Sequence, residues 1–496
     1  MKKFNKDKYL KKLKLKRFWQ NNSRYFYIGV SCVLCGILGI YFTYSKFFVT
    51  QEQEVVRATV APFIRGDVVI NNYVNGQLVD DAPAQGTGYE VDKIVCNNGA
   101  VGEWNVRDWG PTISNVTRRS KCNIYFIDAE KINIGNVAVP LDYYGKCPTV
   151  NADGTATVTE AESQYGYLCS MKDAYGTSYY YRGNVTNNYV KFGKWSKDTP
   201  DVVKGFYSAT STSYKEYSTV KECQSASSYN VNCTVISKAN KDMYWRIIRI
   251  NGNNTIRVIY DGTSAHANGE SSSDRQIGTV AFNSSDADNA YVGYMYGKTG
   301  ASTYAETHAN TNNSTIKTYL DTWYENNIKG TTNEQYIADN IFCNDRSFSP
   351  NNGGTGVAKS TTYYRLYNFV NYPNNNKIML TCPQKNDSFT VSDTSKGNGT
   401  LTYSIGLVTT DEVVLAGGWN SDNKNYYLYS GQNYWTMSPH DYLNGYYASE
   451  RIVYSAGYAY DFYVSHSVGA RPVLNLKSEV LLQGTGTASD PYHLAS

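Results

Sequence analysis

Eight cysteines that lie outside any apolar run constrain this chain most. They are Cys96, Cys122, Cys147, Cys169, Cys223, Cys233, Cys343 and Cys382. An even set of this kind, in a chain bound for an oxidising compartment, reads as a disulfide framework. Eight cysteines allow roughly a hundred connectivities. Sequential pairing, 96–122, 147–169, 223–233 and 343–382, gives the shortest loops and keeps each bridge within one module. It is preferred on those grounds, and the other pairings stay open. None of the spacings suits zinc, and His266, His308, His440, His466 and His493 are scattered. No metal and no cofactor is therefore expected.

The other two cysteines, Cys32 and Cys35, fall in an uncharged stretch over 25–44. About 20 apolar residues of helix span a bilayer core. Tyr25, Phe26 and Tyr27 flank one end and Tyr41, Phe42 and Tyr44 the other, where aromatic rings favour the headgroup level. Ten Lys and Arg and one Asp precede or border the stretch within residues 1–25, a local charge of about +9. Of the net +4, this leaves about −5 for the rest, so the pI of 8.3 is no argument for nucleic acid. The expectation is a single-pass membrane anchor over 25–44. The tail, 1–24, would be cytoplasmic and the body extracellular, with the cell membrane as one partner and no nucleic acid.

Past a polar stalk at 45–59, strand and turn signals run from 60 to 128. Asn75-Gly76 follows an apolar run, a strong hairpin signal. This stretch reads as a small β-sandwich spacer stapled by one disulfide. Residues 129–182 read as a connecting region, and 183–496 as one large domain with an insertion at about 194–242. Trp245, Ile247, Ile248 and Ile250 place apolar side chains on both faces of a hairpin closed at 251–254, which therefore reads as central.

Two helices stand out. Ser314 can cap one with Ile316, Tyr319, Leu320, Trp323 and Tyr324 on a single face. Thr409-Thr410-Asp411-Glu412 forms a capping box for the other, stopped by Gly417-Gly418. Short strands are expected afterwards, at 426–429, 434–437, 451–454, 460–464 and 471–476. The fold class expected from this order is α+β.

Tyr434-Trp435-Thr436-Met437-Ser438-Pro439, followed after about thirty residues by Gly469-Ala470-Arg471-Pro472-Val473-Leu474-Asn475-Leu476, resembles a C-type-lectin-like domain of bacterial surface proteins. The formylglycine-generating and sulfatase-modifying enzymes share that fold. The resemblance implies two helices and short antiparallel strands over 183–496. Arg471 reads as a structural anchor that pairs an acid or holds a loop.

The segment between the motifs, 440–467, mixes Tyr and Phe with Ser, Gly, Asn, Asp and His. Paratopes have this composition, because Tyr offers rigid amphipathic area and small polar residues offer adaptable hydrogen bonds. The candidate ligand-binding residues are His440, Asp441, Tyr442, Asn444, Tyr446, Tyr447, Ser449, Arg451, Tyr454, Tyr458, Tyr460, Asp461, Tyr463 and His466. Tyr, His, Asn and Asp are also reached by changing the first base of an Asn codon. The segment thus resembles the variable region of a protein diversified by a retroelement.

The function expected is adhesion or recognition of an extracellular protein or glycan, without catalysis. No cysteine follows Cys382, so the cysteine pair of formylglycine generation is missing from the C-terminal region, and no hydrolase or phosphate-loop motif occurs. Asp411 and Glu412 read as helix N-terminal charges rather than an acid–base pair. The alternatives are an enzyme of the sulfatase-modifying-like fold acting on envelope or extracellular substrates, and a structural envelope protein without a ligand.

Overall fold

The structure is a computed structural model that describes residues 10–18, 57–58, 68–84, 89–105, 109–128, 131–134, 137–140, 147–211, 213–347, 377–418, 421–443, 447–481 and 483–494. It divides into two compact units, 1–127 and 128–496.

The architecture is mostly β-strand, which corrects the α+β class. The two helices expected do form. Thr315–Asn327 starts at Ser314, whose Oγ accepts the Lys317 N–H, and it buries Ile316, Leu320, Trp323 and Tyr324. Thr410–Leu415 starts with the Thr409/Glu412 capping box. The second is only six residues long. Strands and irregular segments build most of the large unit, so a two-helix lectin domain is not what the chain forms.

The membrane anchor is corrected as well. Among the described residues no helix is long and apolar enough to cross a membrane. The N-terminal helical stretch at 10–18 is solvent-exposed and lysine-rich, and far shorter than the ~20 residues a span needs. Single-pass anchoring with a cytoplasmic N-terminus is thus without support, and the stretch 25–44 lies outside the described residues.

In the first unit, one sheet runs in the order Gln77–Val79, Val68–Val74, Ser120–Asp128, Tyr89–Cys96. Asn75 and Gly76 both take positive φ (48° and 83°), the turn that matches strand twist in a two-residue hairpin. A second sheet joins Arg57–Ala58, Gly110–Ser114 and Val101–Asn105. The apolar cluster is small: Ala100, Ile113 and Cys122, with Val68, Ile94, Cys96 and Val116 against it. A core of this size needs a covalent staple, and Cys96–Cys122 supplies it.

The other three sequential disulfides also form, at 147–169, 223–233 and 343–382.

In the second unit, Asp242–Ile250 is the centre of a six-stranded sheet. Ile256–Gly262 pairs with it on one side, and Thr177–Gly183 and Tyr189–Lys194 share its other edge. Gly166–Lys172 extends the sheet beyond Thr177–Gly183, and Val473–Leu476 beyond Ile256–Gly262. The 166–183 hairpin, which falls in the stretch read as a connector, is thus a member of the main sheet. Trp245, Ile247, Ile248 and Ile250 are all buried, as the apolar residues on both faces require.

A five-stranded sheet carries the first family-like motif and the start of the second, whose residues 473–476 belong to the six-stranded sheet. Its order is Gly278–Ala281, Ser467–Ala470, Tyr434–Leu443, Tyr447–Val453, Ala459–Tyr463. Trp435 is fully buried and donates its indole N–H to Val280 O at 2.8 Å.

Between the sheets lies a framework of buried arginines. Asp261 Oδ1 receives Arg275 Nε and Arg471 Nη2, each at 2.7 Å, with all three side chains fully buried. Arg471 also donates to Leu428 O and Tyr260 O, and Arg275 to Tyr427 O. These bonds explain why 426–429 is a buried turn and not the expected strand. Its carbonyls accept from guanidinium groups in place of a neighbouring strand. Glu412 plays the same part nearby, receiving Arg257 Nε at 2.6 Å and Arg249 Nε at 2.9 Å. Arg249 also meets Asp173 at 2.8 Å.

The insertion folds as its own layer. Tyr214–Tyr217, Val202–Phe206 and Val231–Ile236 make a three-stranded sheet beside the helix Val220–Ser225. Cys223–Cys233 ties that helix to the sheet.

Candidate ligand-binding face

The last three strands in sequence before the second motif place the candidate residues. In their register Asp441 faces Ser449, which in turn faces Tyr463, and Arg451 faces Asp461. Irregularities on either side of Pro439 interrupt the first strand, as a residue without an N–H requires.

The polar candidates and the aromatic ones separate. His440, Asp441, Ser449 and Arg451 are buried. His440 Nδ1 is 3.1 Å from Asp441 and Nε2 is 3.9 Å from Asp461. Burial, with Arg451 next in importance, still holds the imidazole below its ordinary range, so it is neutral near pH 7. The neighbouring Glu450, which the sequence reading did not single out, is fully buried, and burial pushes its carboxyl well above the usual carboxylate range. These groups are a polar floor beneath the surface.

The aromatic candidates face outward or lie at the rim. Tyr447, Tyr460 and Tyr463 are 45%, 46% and 40% exposed, large values for rings on adjacent strands. Tyr447 and Tyr463 meet at 4.7 Å between ring centroids. His466, also exposed, packs on Phe462 at 4.8 Å and Tyr463 at 5.6 Å. Half-buried Tyr454 and Tyr458 form a second cluster with Tyr460, at 5.3 to 6.2 Å. Tyr442 is tied down by its hydroxyl, which donates to Ala287 O at 3.1 Å. Asn444 and Tyr446 lie outside the described residues.

Two hollows are relevant to chemistry. One lies against the Asp173, Arg249, Arg257 and Glu412 cluster and the Cys343–Cys382 bridge. Its volume is about 30 Å³, space for only a water or two. Burial raises the Glu412 carboxyl, but Arg257 and Arg249 outweigh it and hold the group below its ordinary range. The carboxylate is therefore ionised and committed to two guanidinium groups and to its own helix cap. This arrangement supports a structural role for Asp411 and Glu412.

The other hollow is an open groove of about 530 Å³, within the roughly 300–1,000 Å³ typical of ligand sites. Phe462, Ser465, His466 and Ser467 line one wall, Tyr214, Lys215 and Tyr229 of the insertion the opposite one, and Gln276, Gln432 and Asn433 also line it. Only His466 of these was singled out from sequence. The other groove residues belong to segments far apart in the chain, and no local pattern joins them. The single hint was the Cys223/Cys233 pair, which marks the insertion as ordered.

Among the described residues no group of three or more His, Cys, Asp or Glu side chains could hold a metal ion. A comparison of the chain with protein-family models, with characterised proteins and with solved structures gives no match.

Proposed function

We propose that this protein recognises an external ligand, without catalysis, through the outward face of the strands Tyr447–Val453 and Ala459–Tyr463. One observation carries the reading: Tyr447 and Tyr463, 45% and 40% exposed, lie on one face of adjacent strands with their rings 4.7 Å apart. A solvent-exposed pair of large rings on a rigid support is a recognition surface, because each ring contributes contact area at little entropic cost. Four disulfides accord with an oxidising compartment, where such a ligand would be met.

The test is binding to a panel of immobilised glycans and extracellular proteins. Replacing Tyr447 and Tyr463 with Ala together should remove binding while the melting curve stays in place. A variant that keeps full binding would sink the reading. Diversification of 440–467 by a retroelement, on this reading, would be useful only at outward positions such as Tyr447, Tyr460, Tyr463 and His466. Adenine-rich codons confined to those positions, with a near-copy of the segment beside the gene, would support it.

A further inference from the structure

The structure assigns the groove between the insertion and the last strands as a site for a neutral oligosaccharide. This rests on the proposed recognition function and names its ligand class.

The groove's walls are held rigidly, a requirement for a preorganised site. Gln276 is the hinge pin between them. Its Oε1 accepts the Tyr214 hydroxyl of the insertion at 2.9 Å, and its Nε2 donates to Asn433 O at 2.9 Å. Gln276 can lie there because residue 469 is glycine, where a Cβ would collide with the carboxamide. Gly469 of the second motif thereby has a physical task. Two buried lysines of the insertion add anchors. Lys204 donates to Ser273 O and Lys238 to Gln276 O, each at 2.9 Å.

What the walls present is chemically specific. Among the described residues, the hydroxyls of Ser213, Thr279 and Ser467 make no hydrogen bond. The Asn433 carboxamide receives the Ser455 N–H on its oxygen at 2.8 Å, and its NH₂ has no partner among those residues. Tyr229, Phe462 and His466 place ring surfaces along the same groove. Among the described residues no carboxylate lines it, and the lysine that does, Lys215, already sits over the Tyr217 ring at 5.6 Å. Neutral hydroxyl and amide groups beside ring faces suit a ligand with hydroxyls on its edges and C–H groups on its faces, which describes a pyranose. An anionic ligand would require a cation cluster. An open groove, rather than a closed pocket, suits a chain of several sugars.

The experiment uses the full chain and soluble tetrasaccharides of β-linked glucose, β-linked N-acetylglucosamine and α-linked mannose, with a polygalacturonate oligomer as the acidic comparison. Isothermal titration gives the Kd. At least one neutral tetrasaccharide should bind, and the uronate should not compete. Tyr229→Asn removes the ring but tolerates the left-handed backbone (φ 58°) found there. It should weaken binding at least about ten-fold, as loss of an aromatic anchor does. Ser213→Trp, at an exposed position, should block the groove and abolish binding. Both variants should melt with the parent. Absence of binding to any neutral tetrasaccharide, or preference for the uronate, overturns the assignment. Undiminished binding in both groove variants, with loss only in the Tyr447/Tyr463 variant, overturns the groove and leaves the recognition face standing. Binding lost in the groove variants but kept in the tyrosine variant does the reverse.

Discussion

The buried arginine framework and the tyrosine-bearing strands belong to the same unit and follow opposite rules. Asp261, Arg275 and Arg471 are fully enclosed, and each charge is matched by an acid or by carbonyl oxygens. Tyr447, Tyr460 and Tyr463 are almost half exposed and touch mainly one another and their neighbours. The first set holds the turn at 426–429 and the second motif in register. The second set could change without disturbing that register. The difference teaches that residues close in sequence, such as Tyr463 and Arg471, can carry stability and recognition separately.

Breaking the framework should have the largest effect. Asp261→Ala would leave Arg275 and Arg471 buried without their shared acid, a loss of about 3–5 kcal/mol. Urea unfolding measures it, and a loss below about 1 kcal/mol would mean that the carbonyl partners suffice.

Next comes the covalent staple beside the framework. The double variant Cys343→Ser, Cys382→Ser removes a closure of 39 residues in sequence and should cost about 2–4 kcal/mol. Comparing it with the parent under reducing agent separates this bridge from the other three.

The insertion offers a pH test between the two regimes. Lys204 is pushed down to about 7 by burial first and then by Lys238, against Glu216 and Asp274. Tyr214 covers it from the strand, with the ammonium 4.2 Å from its ring centroid. Unfolded, the same lysine keeps its proton to about 10.5. Between these values the unfolded chain binds more protons, so stability should rise with pH. Below about pH 7 both states are protonated and this contribution is constant at its least favourable. The unfolding midpoint should therefore climb from pH 7 to pH 9, and Lys204→Met should flatten that climb. A parent whose midpoint is level over the window would contradict it.

The smallest effect on stability is expected at the face itself. Tyr463→Ala should change unfolding free energy by no more than about 0.5–1 kcal/mol, since the ring is two-fifths exposed and packs on surface neighbours alone. A loss of several kcal/mol would place Tyr463 with the framework and erase the contrast.

Local signals were legible in the sequence wherever the physics is local. Ser314 and Thr409 cap helices because their hydroxyls reach N–H groups three residues on. Asn75-Gly76 turns a hairpin because both residues accept positive φ. The apolar residues on both faces around Trp245 are the mark of a central strand, and that is where it lies. The class of fold was not legible because two helices carry strong local signals while many short, irregular strands carry weak ones. The turn at 426–429 was not legible because its aromatic and aliphatic residues suit a strand, while the arginines that claim its carbonyls come from positions 275 and 471. At the candidate site, composition marked the segment. It could not tell His440 or Arg451, both buried, from Tyr460 or Tyr463, both outward.

The sequence by itself determined where helices and tight turns begin and which stretch is rich in rings, and it favoured pairing of sequential cysteines. Each depends on interactions spanning a few residues or on short loop closure. Only the tertiary structure decided which rings reach solvent, which acid each arginine meets, and that the insertion and the last strands share a groove. Those outcomes depend on strand register and on Gln276 bridging Tyr214 to Asn433, partners separated by 62 and 157 residues. At such separations chain proximity carries no information, and burial and hydrogen-bond satisfaction choose the partner.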